Sequence, residues 1–498
     1  MKSTRSPLGL FSMISVFLIG SGAVVDCPCH PRSLQARSGP DGSQTANREG
    51  FDVGITPPDA EIFRKFLHGR ILFAVASLVA LTAGIRLLAN EDIPLWVHSA
   101  GGTSPSDELH STAIAVGPDG STYVAGRLRG TARLGDTHLI ATNRSIVFVA
   151  KLTRSGQWAW AREECSSTDG VVECHGIAVN SSNYIFLVGR YRKDARVGDS
   201  WLRGRSEYDS AFIVRLSPDG TPSGVYGLTG ESIDNPARAT IRQVWVDGSD
   251  AVYVAGALTS RARFGNTLIE GGLSSGFVAR LDMGSEWKWV LTISGDGISS
   301  CQGLAGDSSG LYVTGTFQGQ NRFGNVTHIA TNQAAFVAGL SKSGEFLWTT
   351  TLTASTNAGS MAVTPDRAGG AWIAGYFNGT VTPSTDSNLQ HAGGFVARLK
   401  AGGDLAWIRQ VGSAGSLPGS LSLSAEGDCY LAGQLFTPQA TGPLGLTMPP
   451  DWEGYAAGYL AKLSGGGELL WAINAGTTTG EFPPLASRGA LTAFAGSL

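Results

Sequence analysis

Charge is scarce in this chain and close to balanced: 15% of the 498 residues are charged, and the formal net charge is −3. That balance excludes a general attraction to nucleic acid or acidic lipid. With 42% hydrophobic residues, it is not a disordered, solvating chain either. Six cysteines are too few for a disulfide scaffold. Beyond Leu95 no interval sustains a 3.6-residue apolar period, which argues against helices there. The short signatures of common chemistry are missing as well. There is no H-E-x-x-H zinc spacing, no G-x-S-x-G nucleophile elbow, no phosphate-binding loop and no Asp-rich calcium loop. His98, His110, His138, His175, His328 and His391 are scattered, and all but His98 fall in predicted turns or inter-strand loops. No catalytic, cofactor-binding or metal-ligating residue is therefore assigned, although a site assembled from distant segments stays open. Arginine alone shows a local excess, between Arg127 and Arg215, which reads as a solvated rim.

What the chain has in quantity is glycine, 68 residues, and repetition. One fixed point is an aromatic heading an apolar run: Phe148, Phe212, Phe277, Phe336, Phe395 and Tyr459. Twelve residues on stands Trp160, Trp289, Trp348, Trp407 or Trp471, with Gly224 taking the place in the second copy. Trp96 supplies one more tryptophan ahead of the first run. A second fixed point is an apolar run closed by Gly126, Gly189, Gly256, Gly315, Gly375, Gly433 and Gly496, spaced 58 to 67 residues apart. Turn chemistry such as Pro118-Asp119-Gly120 separates four short runs per copy. Four-stranded antiparallel units repeating in this way make a β-propeller, in which each sheet buries its apolar face against the next. The recurrent aromatics read as that packing.

The first hundred residues differ in kind. Residues 6–25 and Ile71 to Ile85 are uncharged, and counting on to Ala89 brings the second stretch near spanning length. Arg64, Lys65 and Arg70 precede it, an asymmetry that keeps its N-terminal flank in the cytoplasm and the repeats outside. The expected organisation is an extension over 1–60, a signal-anchor or transmembrane helix over 61–94, and a propeller over 95–498. A helix packed on the propeller is the alternative for the second stretch. Cys27 and Cys29 lack the small residue that a lipidation signal places before its cysteine. Cys165 and Cys174 flank a short polar stretch and are the candidate disulfide, which fits an oxidising compartment. Cys301 and Cys429 read as small buried hydrophobes.

The repeat resembles the bacterial seven-bladed β-propeller (SBBP-type) repeat, with its V-x-G strand, F-G-N-like turn (Phe264-Gly265-Asn266, Phe323-Gly324-Asn325), F-V-A-K-L strand and G-x-x-x-W turn. The likeness covers residues 95–498. It implies an all-β fold of seven four-stranded blades in a secreted or envelope protein, and carries no assigned activity. The recurring strands number one fewer than seven blades of four require. One blade is thus expected to lack a strand or to borrow it from the N-terminal side near Glu91 to Trp96. Gly344-Glu345-Phe346-Leu347-Trp348 and its sisters also resemble the tryptophan-docking motif of quinoprotein propellers, where the tryptophan ties blades together. The function expected is a non-catalytic envelope module that binds a protein or glycan, held to the membrane by the N-terminal helix. The alternative is an envelope enzyme, glycan-active or quinoprotein-like, with a composite site on the channel rim.

Overall fold

The glycine that closes each V-x-G run is dictated by its neighbour. In the first repeat, Thr122–Leu134 pairs with Glu108–Val116 through a β-bulge between Ser111 and Ala113. The bulge pushes the His110 carbonyl toward Gly126, where a Cβ would stand 1.9 Å from that oxygen. The same bulge recurs in five later repeats, and Gly256 faces the Thr240 carbonyl at the same 1.9 Å. A side chain there would force two hydrogen-bonded strands apart, so only glycine fits.

This geometry is seen in a computed structural model. It describes residues 13–21 and 92–497, apart from 105, 168–169, 205–207, 229–237, 260, 283–284, 384–388, 390–391, 437–442, 447–455, 479–481 and 489–490. Every described element is a strand. Consecutive strands pair antiparallel in ladders of four. The ladder Glu108–Val116, Thr122–Leu134, Thr137–Leu152 and Trp158–Ser167 is the first. The ladders that follow open at Val171, Ala239, Ile298, Asn357 and Ser416. The arrangement is a β-propeller, all-β with small antiparallel sheets around a channel lined by the first strand of each ladder.

Two expectations need correction. Five sheets of four or more strands are distinct, not seven. The largest has fourteen strands, because single or paired bridges such as Gly101↔Arg133, Gly102↔Ala132 and Thr477↔Ser497 fuse neighbouring ladders at their corners. The second concerns the N-terminal side, where no apolar helix is seen among the described residues. Residues 61–91, with the apolar stretch Ile71 to Ala89, lie outside the described residues. Among the described residues no helix is long and apolar enough to cross a membrane. Part of the first apolar stretch is instead strand β1 (Met13–Ser21), and strand β2 (Asp92–Gly102) starts before Leu95. β1 lies between β2 and Leu491–Ser497, pairing with both over its length, and Leu485–Arg488 completes that group. An apolar run this short suits strand or helix equally by periodicity. The β-branched residues of β1 and the open edges on either side decide for strand. Val16 is fully buried there.

Candidate binding channel

The recurrent aromatics lie between ladders. Phe148, Phe212, Phe277, Phe336, Phe395 and Tyr459 are buried, while Trp96, Trp160, Trp289, Trp348, Trp407 and Trp471 are half-buried. Each of five tryptophans covers the turn glycine of the next ladder. A Cβ on Gly156 would stand 2.5 Å from the Trp96 ring, and one on Gly344 2.7 Å from that of Trp289. Gly220, Gly403 and Gly467 face Trp160, Trp348 and Trp407 in the same way. Trp96 donates its indole N–H to the Arg154 carbonyl at 2.9 Å, and Trp289 to that of Lys342 at 3.1 Å. Where Gly224 replaces tryptophan, Tyr226 meets the next turn through Ser285. These side chains join ladders and face no cavity chemistry.

A further recurrent residue escaped the sequence reading. Three positions before the V-x-G glycine stands Tyr123, Phe186, Tyr253, Tyr312, Trp372 or Tyr430, all buried. Five of the six stack against the tryptophan of their own ladder, from Trp372 on Trp407 at 4.9 Å to Tyr123 on Trp160 at 6.3 Å. Phe186 has no such partner because Gly224 holds the tryptophan place. The spacing was a legible signal.

Cys165 and Cys174 are both free thiols, not a disulfide, and both are buried. They sit in one core cluster, on Trp158–Ser167 and Val171–Val179, which belong to different ladders, so the stretch between them crosses from ladder to ladder. Burial pushes the Cys165 thiol far above its ordinary range and leaves it protonated. Cys301 and Cys429 are buried in the core too.

The channel holds a cavity of about 550 Å³. At one end lie the turns that follow the first strands, where Arg488 donates to the Val116 carbonyl and Arg367 to that of Ala425. The turn acids there cap backbone: Asp247 accepts from the N–H of Ser249 and Ala251, and Asp366 from those of Ala368 and Gly370. They are consumed in holding the turns.

The other end is reached through the bulges. Met361 and Gly419, bulge residues of their strands, line the cavity directly. Thr112, His175, Arg242 and Gln302 are the bulge residues of four others. Around this end stand the arginines of the local excess. Arg127 reaches Glu108 at 3.9 Å and Glu173 at 3.7 Å; Arg190 reaches Glu173 at 2.6 Å and Asp209 at 2.7 Å. Arg192 pairs with Asp209 at 2.8 Å, and His175 Nε2 is 3.6 Å from Glu173. A carboxylate and a histidine thus do meet at one mouth, the arrangement that a composite active site needs. Yet the hydrogen bond from His175 and the Arg190 guanidinium hold Glu173 down at about 2, against the cost of burial. It is a committed anion in an ion network, unsuited to proton transfer near neutral pH. Among the described residues no group of three His, Cys, Asp or Glu is placed to hold a metal.

No family model matches the chain, and no curated protein matches it. Among solved structures it is similar, at 10% identity, to a protein of unknown function from Dyadobacter fermentans, with a TM-score of 0.38 over 70% of this chain and 94% of that one. It is also similar to the dihydro-heme d1 dehydrogenase NirN in complex with DHE, at 10% identity and a TM-score of 0.33, over 74% of this chain and 73% of that one. A Synechocystis apocarotenoid oxygenase follows at 10% identity and 0.28, covering 75% and 62%. Similarities this distant carry no argument about activity.

Proposed function

We propose that the chain is a seven-bladed propeller of the SBBP type that acts as a non-catalytic binding or scaffolding module of the cell envelope, outside the cytoplasm. The observation that carries the binding reading is the channel, which offers an open cavity with a polar mouth where Glu108, Glu173 and Asp209 are each paired with arginine. A count of seven is supported by the channel wall: first strands from seven ladders line it, the seventh being Leu485–Arg488. Within the fourteen-stranded sheet, three ladders touch only through corner bridges. The partner is a protein or glycan. Immobilised full-length chain incubated with glycans and proteins of an envelope fraction should retain a species and release it unchanged. Conversion of that species during incubation would establish the enzyme reading instead, and retention no better than by denatured chain would refute the proposal.

Placement outside rests on the basic flank Arg64, Lys65 and Arg70. A reporter fused after Leu498 should be active outside; activity only in the cytoplasm refutes the placement.

A further inference from the structure

Three of the four arginines around the channel mouth are answered by acids. Arg127, Arg190 and Arg192 share Glu108, Glu173 and Asp209. The fourth, Arg242, makes no ion pair or hydrogen bond among the described residues. It is the extra residue of the bulge in Ala239–Val246, a device that turns a side chain out of the ladder. Its side chain is exposed to solvent, yet the surrounding strands desolvate it and Arg190 repels it, which pulls its pKa below the ordinary arginine value. Both influences favour an incoming anion.

Arg190 and Asp209 are the charged groups that act on Arg242, and the groups nearest it on the first strands are polar. His175 Nδ1 meets the Ile241 carbonyl at 2.9 Å, which fixes the imidazole one residue from Arg242. Gly176 packs on the Arg242 backbone, where a Cβ would be 3.3 Å from its carbonyl oxygen. On the next first strand the equivalent bulge residue is Gln302, and two strands back it is Thr112, whose buried hydroxyl finds no partner among the described residues. The opposite side of the ring is apolar, with Met361 and with Phe482 filling the space beside Gly419.

We propose that Arg242 is the anion-reading residue of the channel mouth and that its ligand is a singly charged, hydroxylated carboxylate of the acidic-sugar class. A planar guanidinium fork matches a carboxylate by two parallel hydrogen bonds. Arg242 is the arginine of this mouth without an acid among the described residues, and it stands near the hydroxyl of Thr112 and the amide of Gln302, which suits a sugar acid better than a phosphate, whose second charge would call for a second unpaired cation. A 550 Å³ cavity has room for such a group behind the mouth. This assignment rests on the binding-module reading.

Calorimetric titration of the full chain at low salt with glucuronate, D-glucose and inorganic phosphate tests it. Glucuronate should bind saturably, D-glucose at least tenfold more weakly, and phosphate no better than glucose. Arg242→Gln should weaken glucuronate at least tenfold with an unchanged melting midpoint, and Arg242→Lys, which keeps charge but loses the fork, should fall between. Arg129→Gln, an exposed arginine of Thr122–Leu134, should leave binding unchanged. Glucuronate binding that survives Arg242→Gln, phosphate binding that exceeds it, or no glucuronate binding at all would overturn the assignment. If that failure came while the immobilised chain still retained an envelope species, the acidic-sugar inference alone would fall; loss of both would remove the module reading as well.

Discussion

Replacing the V-x-G glycine of the third repeat, Gly256→Ala, should be among the most costly single-methyl additions in this protein. The new Cβ would lie 1.9 Å from the Thr240 carbonyl oxygen and 3.0 Å from the Ile241 Cα. An ordinary carbon–oxygen contact needs somewhat over 3 Å, so the two strands must part by roughly 1 Å at the bulge. Overpacking of this kind costs about 1–3 kcal/mol. Loosening one or two ladder hydrogen bonds adds about 1 kcal/mol each. The alanine returns about 0.4–1 kcal/mol by restricting the unfolded chain. The net loss is about 3 kcal/mol. Spread over an unfolding entropy of ~2.1 cal/mol/K per residue for a body of roughly 400 residues, it lowers the melting midpoint by about 4 °C. Gly248→Ala is the matched control, since a Cβ there meets nothing within 4 Å and the backbone is not left-handed. It should leave the midpoint unchanged or slightly raised. Parallel thermal and urea melts of the two variants decide the matter. Midpoints for Gly256→Ala and Gly248→Ala within 1 °C of each other would refute the bulge argument.

Other consequences are open to direct measurement. Val16→Asp puts an unpaired charge at a fully buried position of β1 and should cost several kcal/mol, exposing β2 to limited proteolysis; an unaltered midpoint and cleavage pattern would mean that β1 does not close its sheet. Glu164 is buried, neither oxygen has a hydrogen-bond partner among the described residues, and desolvation raises its pKa to about 8. Because the folded value lies above the unfolded one, the acid is neutral in the fold at pH 5, and its contribution to stability is lost as pH rises from about 4.5 through 8. Glu164→Gln should therefore gain on the parent between pH 5 and 8, by about 4 kcal/mol as an upper bound; parallel stability curves for the two proteins would contradict this. Trp289→Phe removes the bond to the Lys342 carbonyl and part of the cover on Gly344, for a loss of about 1–2 kcal/mol, whereas Trp201→Phe, at an exposed position, should be neutral in the same melts.

The strand repeat was legible because its determinants are local. Gly126, Gly189 and Gly256 recur at blade spacing since each must accommodate a bulge two strands wide, and the tryptophans recur since each must cover a turn glycine. The aromatic residue three positions before six of these glycines was equally local and was overlooked because it merges into an apolar run. The channel mouth was not legible. Glu173, Asp209 and Arg190 are spread over 37 residues, and Arg242 stands in a different repeat. As a linear pattern they read only as an arginine-rich rim. Their register on adjoining strands turns them into a network that, among the described residues, leaves Arg242 without an acid.

The N-terminal region and the thiols mark the same boundary. Local sequence pattern alone pointed to an all-β repeat chain with an apolar stretch near its start, because side-chain alternation and turn residues act over a few positions. It took the tertiary structure to assign Met13–Ser21 to a strand, since only the open edges of β2 and of Leu491–Ser497, hundreds of residues away at one end, offer its backbone partners. The tertiary structure also decided that Cys165 and Cys174 are buried thiols on separate ladders, where a short linear spacing had pointed to a bridged hairpin. Short-range chemistry sets what each segment is able to form, and long-range pairing selects among those forms by satisfying the backbone groups that would otherwise be left open.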